Sequence, residues 1–180
     1  MYALSYYRYT DKELKEILST LTILVDSREQ ENQHVIKYFE SKKIPFNVQK
    51  VDTGDYSALI PKINEYGITR DLFLPVVIER KNSVDELSGS IKDRSRFENE
   101  LIRSQKLNFT LVVEDPNGYE NIIKGKYRSQ YDPKALLGSL KTFESRYNFT
   151  TVFIPKMAIG NYIYHHFYYQ ARNMLKGNLI

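Results

Sequence analysis

Glu79, Arg80 and Lys81 stand at the end of the apolar run Leu74-Pro75-Val76-Val77-Ile78, and Gly54-Asp55-Tyr56 lies about two dozen residues upstream. An acid, one intervening residue and a lysine at the end of a buried strand, with another acid nearby, can hold a divalent cation against a phosphate. Phosphodiester hydrolysis needs that arrangement. The attacking water must be activated, and the charge that builds on phosphorus must be neutralised. Two carboxylates supply hard oxygen ligands for a cation such as Mg2+, and a nearby ammonium can orient the water or stabilise the transition state. Asp26 and Glu29 add further acids after another apolar segment. Polar residues at strand ends are commonplace, so any one of these acids has a bland explanation. Asp55, Glu79 and Lys81 together, with Asp26-Ser27-Arg28-Glu29 besides, do not.

The elements that must position these residues are legible in outline. Asp11 to Leu18 reads as a short amphipathic helix capped by Thr10 or Asp11. Leu21 to Asp26 is an apolar, β-rich strand. Asn32 to Lys42 carries Val35, Ile36, Tyr38 and Phe39 at near-helical spacing, and Phe46 to Val51 alternates as a second strand, broken by Gly54. Tyr56 to Pro61 and Leu72 to Ile78 pair as a hairpin with an irregular tip at 63–71. Asp85 to Leu107 is charged and helical, with a break expected near Gly89. Phe109 to Glu114 is a strand, and Asp115 to Asp132 is a polar loop or partly ordered segment. Pro133 to Arg146 is a helix with proline in its first turn. Thr150 to Ile154 is the last strand, and Met157 to Lys176 a final helix carrying Tyr162, Tyr164, Phe167, Tyr168 and Tyr169. Strands and helices roughly alternate, which predicts an α/β class with a mixed sheet. In such sheets strand ends gather on one edge, where ligands bind.

The 180 residues suit one domain with a real core, and 42% of them are hydrophobic. Net charge is +4 with a pI near 9.0, compatible with a polyanionic partner. There is no cysteine, which excludes disulfides, zinc ribbons and thiol catalysis and fits a cytoplasmic setting. No apolar run approaches the roughly 20 residues that span a bilayer, so no membrane association is expected. The tyrosine-rich start, Met1 to Asp11, lacks the order of a signal peptide. The division expected is an N-terminal helical extension over 1–20 and one domain over 21–180.

Val25-Asp26-Ser27-Arg28-Glu29, then Gly54-Asp55-Tyr56, then Val77 to Leu87 resemble the XPF family of structure-specific nucleases. That family's signature is glycine-aspartate, then glutamate-arginine-lysine, three residues, and aspartate-leucine. Here Glu86 is inserted before Leu87, which leaves Asp85 in register. The segment Ser88 to Leu101 resembles the basic helix that follows. The match covers about 21–155. The resemblance implies a restriction-endonuclease-like core: a mixed central sheet flanked by helices. It implies that Asp55 and Glu79 hold Mg2+ or Mn2+, with the Arg80 main-chain carbonyl completing the shell. Lys81 matches the catalytic lysine, and Asp26 another active-site acid bound to metal through water. Arg28, Glu29 and Arg80 would form an ion-paired layer around these groups or contact phosphate. Asp85 would cap or brace the next helix; an ordinary N-cap is the simpler reading.

Arg94, Arg96 and Arg103, with Lys92 and Lys106, lie on or beside one helical segment and could follow a DNA backbone, giving affinity rather than base specificity. A solvated face paired with Glu98 and Glu100 is the alternative. Arg94 and Arg96 are expected nearest the site. Lys124, Lys126 and Arg128 lie in a basic loop that could clamp DNA or simply be a charged loop. His165 and His166 point about 100° apart on a helix, and His34 sits alone; all three read as structural. Family members usually dimerise and carry helix-hairpin-helix modules after the nuclease domain, for which a chain ending at Ile180 has no room. A homodimer, a partner protein or the tyrosine-rich start would then supply grip on branched or duplex DNA. A compact member would suit a phage or mobile element, working in the host cytoplasm at the nucleoid. A non-catalytic DNA-binding scaffold and a sequence-specific restriction enzyme are the competing readings.

Overall fold

The computed structural model describes residues 9–177; the tyrosine-rich stretch 1–8 lies outside them. Seven strands form one mixed sheet: β1 (Thr22–Asp26), β2 (Phe46–Gln49), β3 (Tyr56–Ile60), β4 (Leu72–Phe73), β5 (Val76–Lys81), β6 (Asn108–Val113) and β7 (Thr151–Phe153). Their order is β2-β1-β3-β5-β6-β7, with β4 also paired to β3. β3 runs antiparallel to both β1 and β5; β2 is parallel to β1, and β6 and β7 continue parallel to β5. The expected hairpin is present. Its second arm is split because Pro75 has no N–H to donate, so β4 ends at Phe73 and β5 begins at Val76.

The period-two alternation of the strands sorts side chains into two cores. Val76 and Ile78 enter one core with Ile23, Val25, Tyr56 and Ala58. It is covered by α1 (Asp11–Ser19), α2 (Gln33–Lys42) and α7 (Ile159–Leu175). Val77 enters the other with Phe109, Leu111 and Val113. That core lies under α3 (Val84–Lys92), α4 (Arg94–Ser104), α5 (Gly118–Ile123) and α6 (Pro133–Tyr147). The sheet is thus flanked by helices on both faces, as expected. α1 buries Leu14, Ile17 and Leu18 in the first core, and Thr10 and Glu13 close a capping box at its start. In the last helix Phe167 is fully buried, Tyr162 is half-buried against the first core, and Tyr169 is exposed.

One local expectation fails. The helix after β5 runs unbroken through Gly89 and turns at Asp93 instead. Leu87 and Ile91 are buried on either side of the glycine, and that burial outweighs its helix penalty of about 1 kcal/mol. The polar stretch 115–132, expected as a loop or partly ordered segment, is partly ordered. It contains the six-residue α5, anchored by buried Ile122, and Gly118 lies against the Phe153 ring so closely that a Cβ would stand 2.2 Å from it.

Candidate active site

Alternation also places the functional residues. Along β5, Val77, Glu79 and Lys81 face the α3–α4 side, while Ile78 and Arg80 face the α2–α7 side. Asp55 precedes Tyr56, and Asp26 follows Val25, both of which face α2–α7. Asp55 and Asp26 therefore join Glu79 and Lys81 on the α3–α4 side. These residues meet at the floor of an open cleft of about 570 Å³, whose far wall is formed by α3 and α4.

The glycine before Asp55 makes the approach possible. Gly54 sits at φ +74°, and a Cβ there would stand 3.0 Å from the Ile78 carbonyl oxygen and 3.2 Å from the Val77 Cβ. The chain can therefore press against β5, where the Asp55 N–H donates to the Ile78 carbonyl (2.9 Å) and the Asp55 carboxylate accepts the Arg80 N–H (2.7 Å). β5 gives the Pro75 and Lys81 carbonyls to β6 and the Ile78 carbonyl to Asp55. By the same alternation the Arg80 carbonyl faces the Asp55 side, beyond the last β3–β5 pair at Tyr56 and Ile78.

The charges at the floor are tightly engaged. The Lys81 ammonium lies 2.6 Å from Glu79 Oε1. Burial alone would lower its pKa, but Glu79 more than reverses this, so Lys81 is held as the ammonium well above neutrality. Burial raises Glu79 despite Lys81. Asp55 is pushed well above the usual carboxylate range by its depth in the cleft, and then by the charges of Glu79 and Glu29. Asp26 behaves differently. Burial works against its charge, yet hydrogen bonds from the Arg28 side chain and N–H hold it below the ordinary value. Arg28 Nε reaches both Asp26 oxygens (3.0 and 3.1 Å), and its Nη2 also donates to the Val51 carbonyl (2.8 Å). Both Asp26 oxygens are thus engaged by the Arg28 guanidinium.

On the opposite face Arg80 is pinned. Its Nε donates to Glu114 Oε1 (2.8 Å), Nη1 pairs with Glu29, and Nη2 donates to the Glu31 carbonyl (3.1 Å). The Arg80 side chain is 2% exposed. Glu114 Oε1 also meets His34 Nε2 at 2.6 Å, so His34 is not alone as expected but joins this network. Burial raises the Glu29 carboxyl to about 7 even beside Arg80, whose charge is divided between two acids. Glu114 was not singled out in the sequence, although it ends the apolar run 109–113 just as Glu79 ends 74–78. Glu86 was also missed: it lines the cleft, with Oε1 at 3.9 Å from Lys81 Nζ.

The basic residues separate. Arg28, Arg96 and Arg103 line the cleft. Arg94 does not; its guanidinium lies 4.9 Å over the Phe143 ring, because the α4 face carrying Arg96, Glu100 and Arg103 is turned away from it. Lys124, Lys126 and Arg128 also stand outside the cleft. Lys124 pairs with Glu120, and Arg128 is tied to Asp85 through its N–H (2.6 Å) and its Nε (3.1 Å). Asp85 is therefore not the cap of α3. Ser83 is, accepting the Glu86 N–H, while Asp85 braces the basic loop from the outer side.

Eight acidic and five basic residues line the cleft, Arg80 among them although its guanidinium lies on the other face, a negative surplus in a chain that is basic overall. Among the described residues no three acidic or histidine side chains stand ready to hold a metal by themselves. The donor set is two carboxylates and a main-chain oxygen, and Mg2+ commonly takes one or two carboxylates and keeps several waters. Burial is the main cause that raises the Asp55 and Glu79 carboxyls, and a hard dication between them would offset the cost of keeping both charged, so these residues fit such an ion.

Fold and site together define a mixed α/β domain with an acid-and-lysine centre where the carboxyl ends of β1 and β5 meet the amino end of β3. The chain matches the ERCC4 domain over residues 25–166 and belongs to that family. Its fold is that of the XPF nuclease domain. It is similar to XPF from Aeropyrum pernix at 18% identity and TM-score 0.59, covering 85% of this chain and 66% of that one. It is similar to the same protein in complex with DNA at 19% identity and TM-score 0.56, with coverages of 88% and 67%. The chain thus spans about two thirds of the length of these structures. No curated protein sequence matches it.

Proposed function

We propose that this chain is a Mg2+- or Mn2+-dependent structure-specific DNA endonuclease, hydrolysing phosphodiester bonds on branched DNA such as a flap, fork or four-way junction in recombination, repair or replication. The observation that carries the reading is the gathering of Asp55, Glu79 and Lys81 on one face, at the floor of a cleft whose walls present Arg28, Arg96 and Arg103. Asp55 and Glu79 would hold the dication, with the Arg80 carbonyl beside them. The ion, when bound, supplies positive charge to a phosphoryl oxygen and acidifies a water. Lys81, an ammonium beside Glu79, would donate to the attacking water or to the charge developing on phosphorus. Arg28, fixed on Asp26, presents its guanidinium to a phosphate, and Arg96 and Arg103 continue the strand's path along α4. Phosphate contacts from these three would give affinity rather than base specificity. A second copy or a partner protein would supply the rest of the grip on a branch.

Cleavage of a labelled panel (single strand, duplex, both flaps, fork, four-way junction) tests this, with Mg2+, Mn2+ or EDTA. Metal-dependent cuts near the branch, abolished by Glu79→Gln and Lys81→Ala while DNA binding persists, are expected. Undiminished cleavage by either variant refutes the assignment, and binding without cutting under every metal condition favours the scaffold reading.

A further inference from the structure

Glu86 looks at first like a helix-start residue. Its N–H donates to Ser83 Oγ at 3.2 Å, and its Oε2 accepts the Asn82 N–H at 2.8 Å. Its remaining oxygen has a different outlook. Oε1 faces the cleft 3.9 Å from Lys81 Nζ, while that same ammonium sits 2.6 Å from Glu79 Oε1. Asp85, one residue earlier, points away to Arg128. Lys81 thus has two carboxylates in reach, one on the strand and one on the helix.

The pairing with Glu79 conflicts with the loading of a metal. A dication held by Asp55 and Glu79 would find the Lys81 ammonium bonded to one of its own ligands, and two cations on one carboxylate repel strongly in a partly dry cleft. Lys81 has to leave Glu79 without leaving the reaction site. Movement of Nζ by about 1 Å converts the 3.9 Å approach to Glu86 into a hydrogen-bonded ion pair. Glu86 is fixed for this by its cap bond to Asn82, so its second oxygen needs no rearrangement.

We propose that Glu86 is a positioning residue that takes Lys81 from Glu79 when the divalent cation binds, freeing the metal ligand and holding the ammonium where it meets the phosphate. This rests on the metal-dependent reading above. It assigns a purpose to the residue by which this chain departs from the family's spacing: the extra acid after Asp85.

Mn2+ affinity, measured by titration calorimetry and by loss of the free-ion paramagnetic resonance signal, tests it in the full chain without DNA. The comparison is between Glu86→Gln alone and Glu86→Gln placed in a Lys81→Gln background. Glutamine keeps the cap bond to Asn82, and unchanged melting in EDTA keeps the comparison on folded protein. With Lys81 present, Glu86→Gln should weaken Mn2+ binding about tenfold. Without Lys81 it should change the affinity less than about twofold, because Glu86 acts through the lysine. An equal loss in both backgrounds would show Glu86 acting directly on the metal and overturns the proposal, as does no loss in the first. If the wild-type chain binds no Mn2+ at all, it is the metal-dependent reading that fails, and this inference with it.

Discussion

Replacing Arg80 by methionine should destabilise the domain severely, and most severely at alkaline pH. Arg80 stands between two acids with little access to water: its own side chain is 2% exposed, that of Glu114 0% and that of Glu29 12%. Methionine fills the channel but leaves both carboxylates without their cation. Removing one partner of a buried pair costs roughly 3–5 kcal/mol, against a total stability of roughly 5–15 kcal/mol for a typical domain. At this chain length that corresponds to a fall in melting temperature of roughly 6–20 °C. The pH dependence follows from Glu29, whose carboxyl is raised to about 7 even with Arg80 in place. A carboxyl raised in the folded state binds a proton more readily there than when unfolded. Its stabilising contribution is therefore full below the unfolded value, 4.5, and is lost as pH rises through about 7. Without Arg80 the folded value rises further, so the deficit should be largest at pH 8 and shrink towards pH 5.5, where Glu29 is protonated. Arg80→Lys keeps the charge but cannot span both acids, and should fall between. Thermal melts by circular dichroism in EDTA at the two pH values measure this. A deficit below about 1 kcal/mol at pH 8, or one that grows on acidification, would refute the view that Arg80 neutralises two buried acids.

Gly54→Ala meets both a left-handed φ of +74° and a Cβ only 3.0 Å from the Ile78 carbonyl oxygen. The conformational strain alone is about 1–2 kcal/mol, and relief comes by moving Asp55 off β5; Mn2+ affinity should drop about tenfold or more, equivalent to ~1.4 kcal/mol, and an unchanged affinity contradicts this role for the glycine. Metal stabilisation should also depend on pH. Burial and neighbouring charge raise the Asp55 and Glu79 carboxyls, so protons compete with the dication, and the Mg2+-induced rise in melting temperature should be larger at pH 8 than at pH 6. Saturation at a hundredfold excess over Kd gives about 2.7 kcal/mol at the upper end. Asp55→Asn should flatten the effect, and a Mg2+ shift in the wild-type chain that is the same at both pH values speaks against the carboxylate site.

The fold was readable where one local signal dominated. Val76-Val77-Ile78 is too apolar for anything but a strand buried on both faces, and Asp132-Pro133 starts a helix by both its cap and its ring. It was misread where a local breaker met long-range burial. Gly89 suggested an interruption, but the cores on either side, at Leu87 and Ile91, hold the helix through it. The acids of the site were legible because each closes an apolar run. Their partners were not, because partnership is decided by strand order. Glu114 meets Arg80 only because β6 lies parallel beside β5, and His34, 80 residues away in sequence, reaches Glu114 only because α2 covers that same face.

One part of this network needed no structure to foresee. In a strand, Glu79 and Lys81 must share a face and Arg80 must take the other. The triplet therefore divides its labour by geometry. The outer two residues face the cleft, where an acid and an ammonium are useful to a phosphate. The middle one is driven into the core side, where a guanidinium survives only if carboxylates come to meet it. Glu29 and Glu114 are those carboxylates. Their hold on the Arg80 side chain fixes the main-chain N–H that Asp55 accepts and the carbonyl that faces it. The buried ion network on one side of β5 thus sets the spacing of the reactive groups on the other. On this reasoning, variants of Glu114 should alter metal affinity at a distance, without touching the cleft.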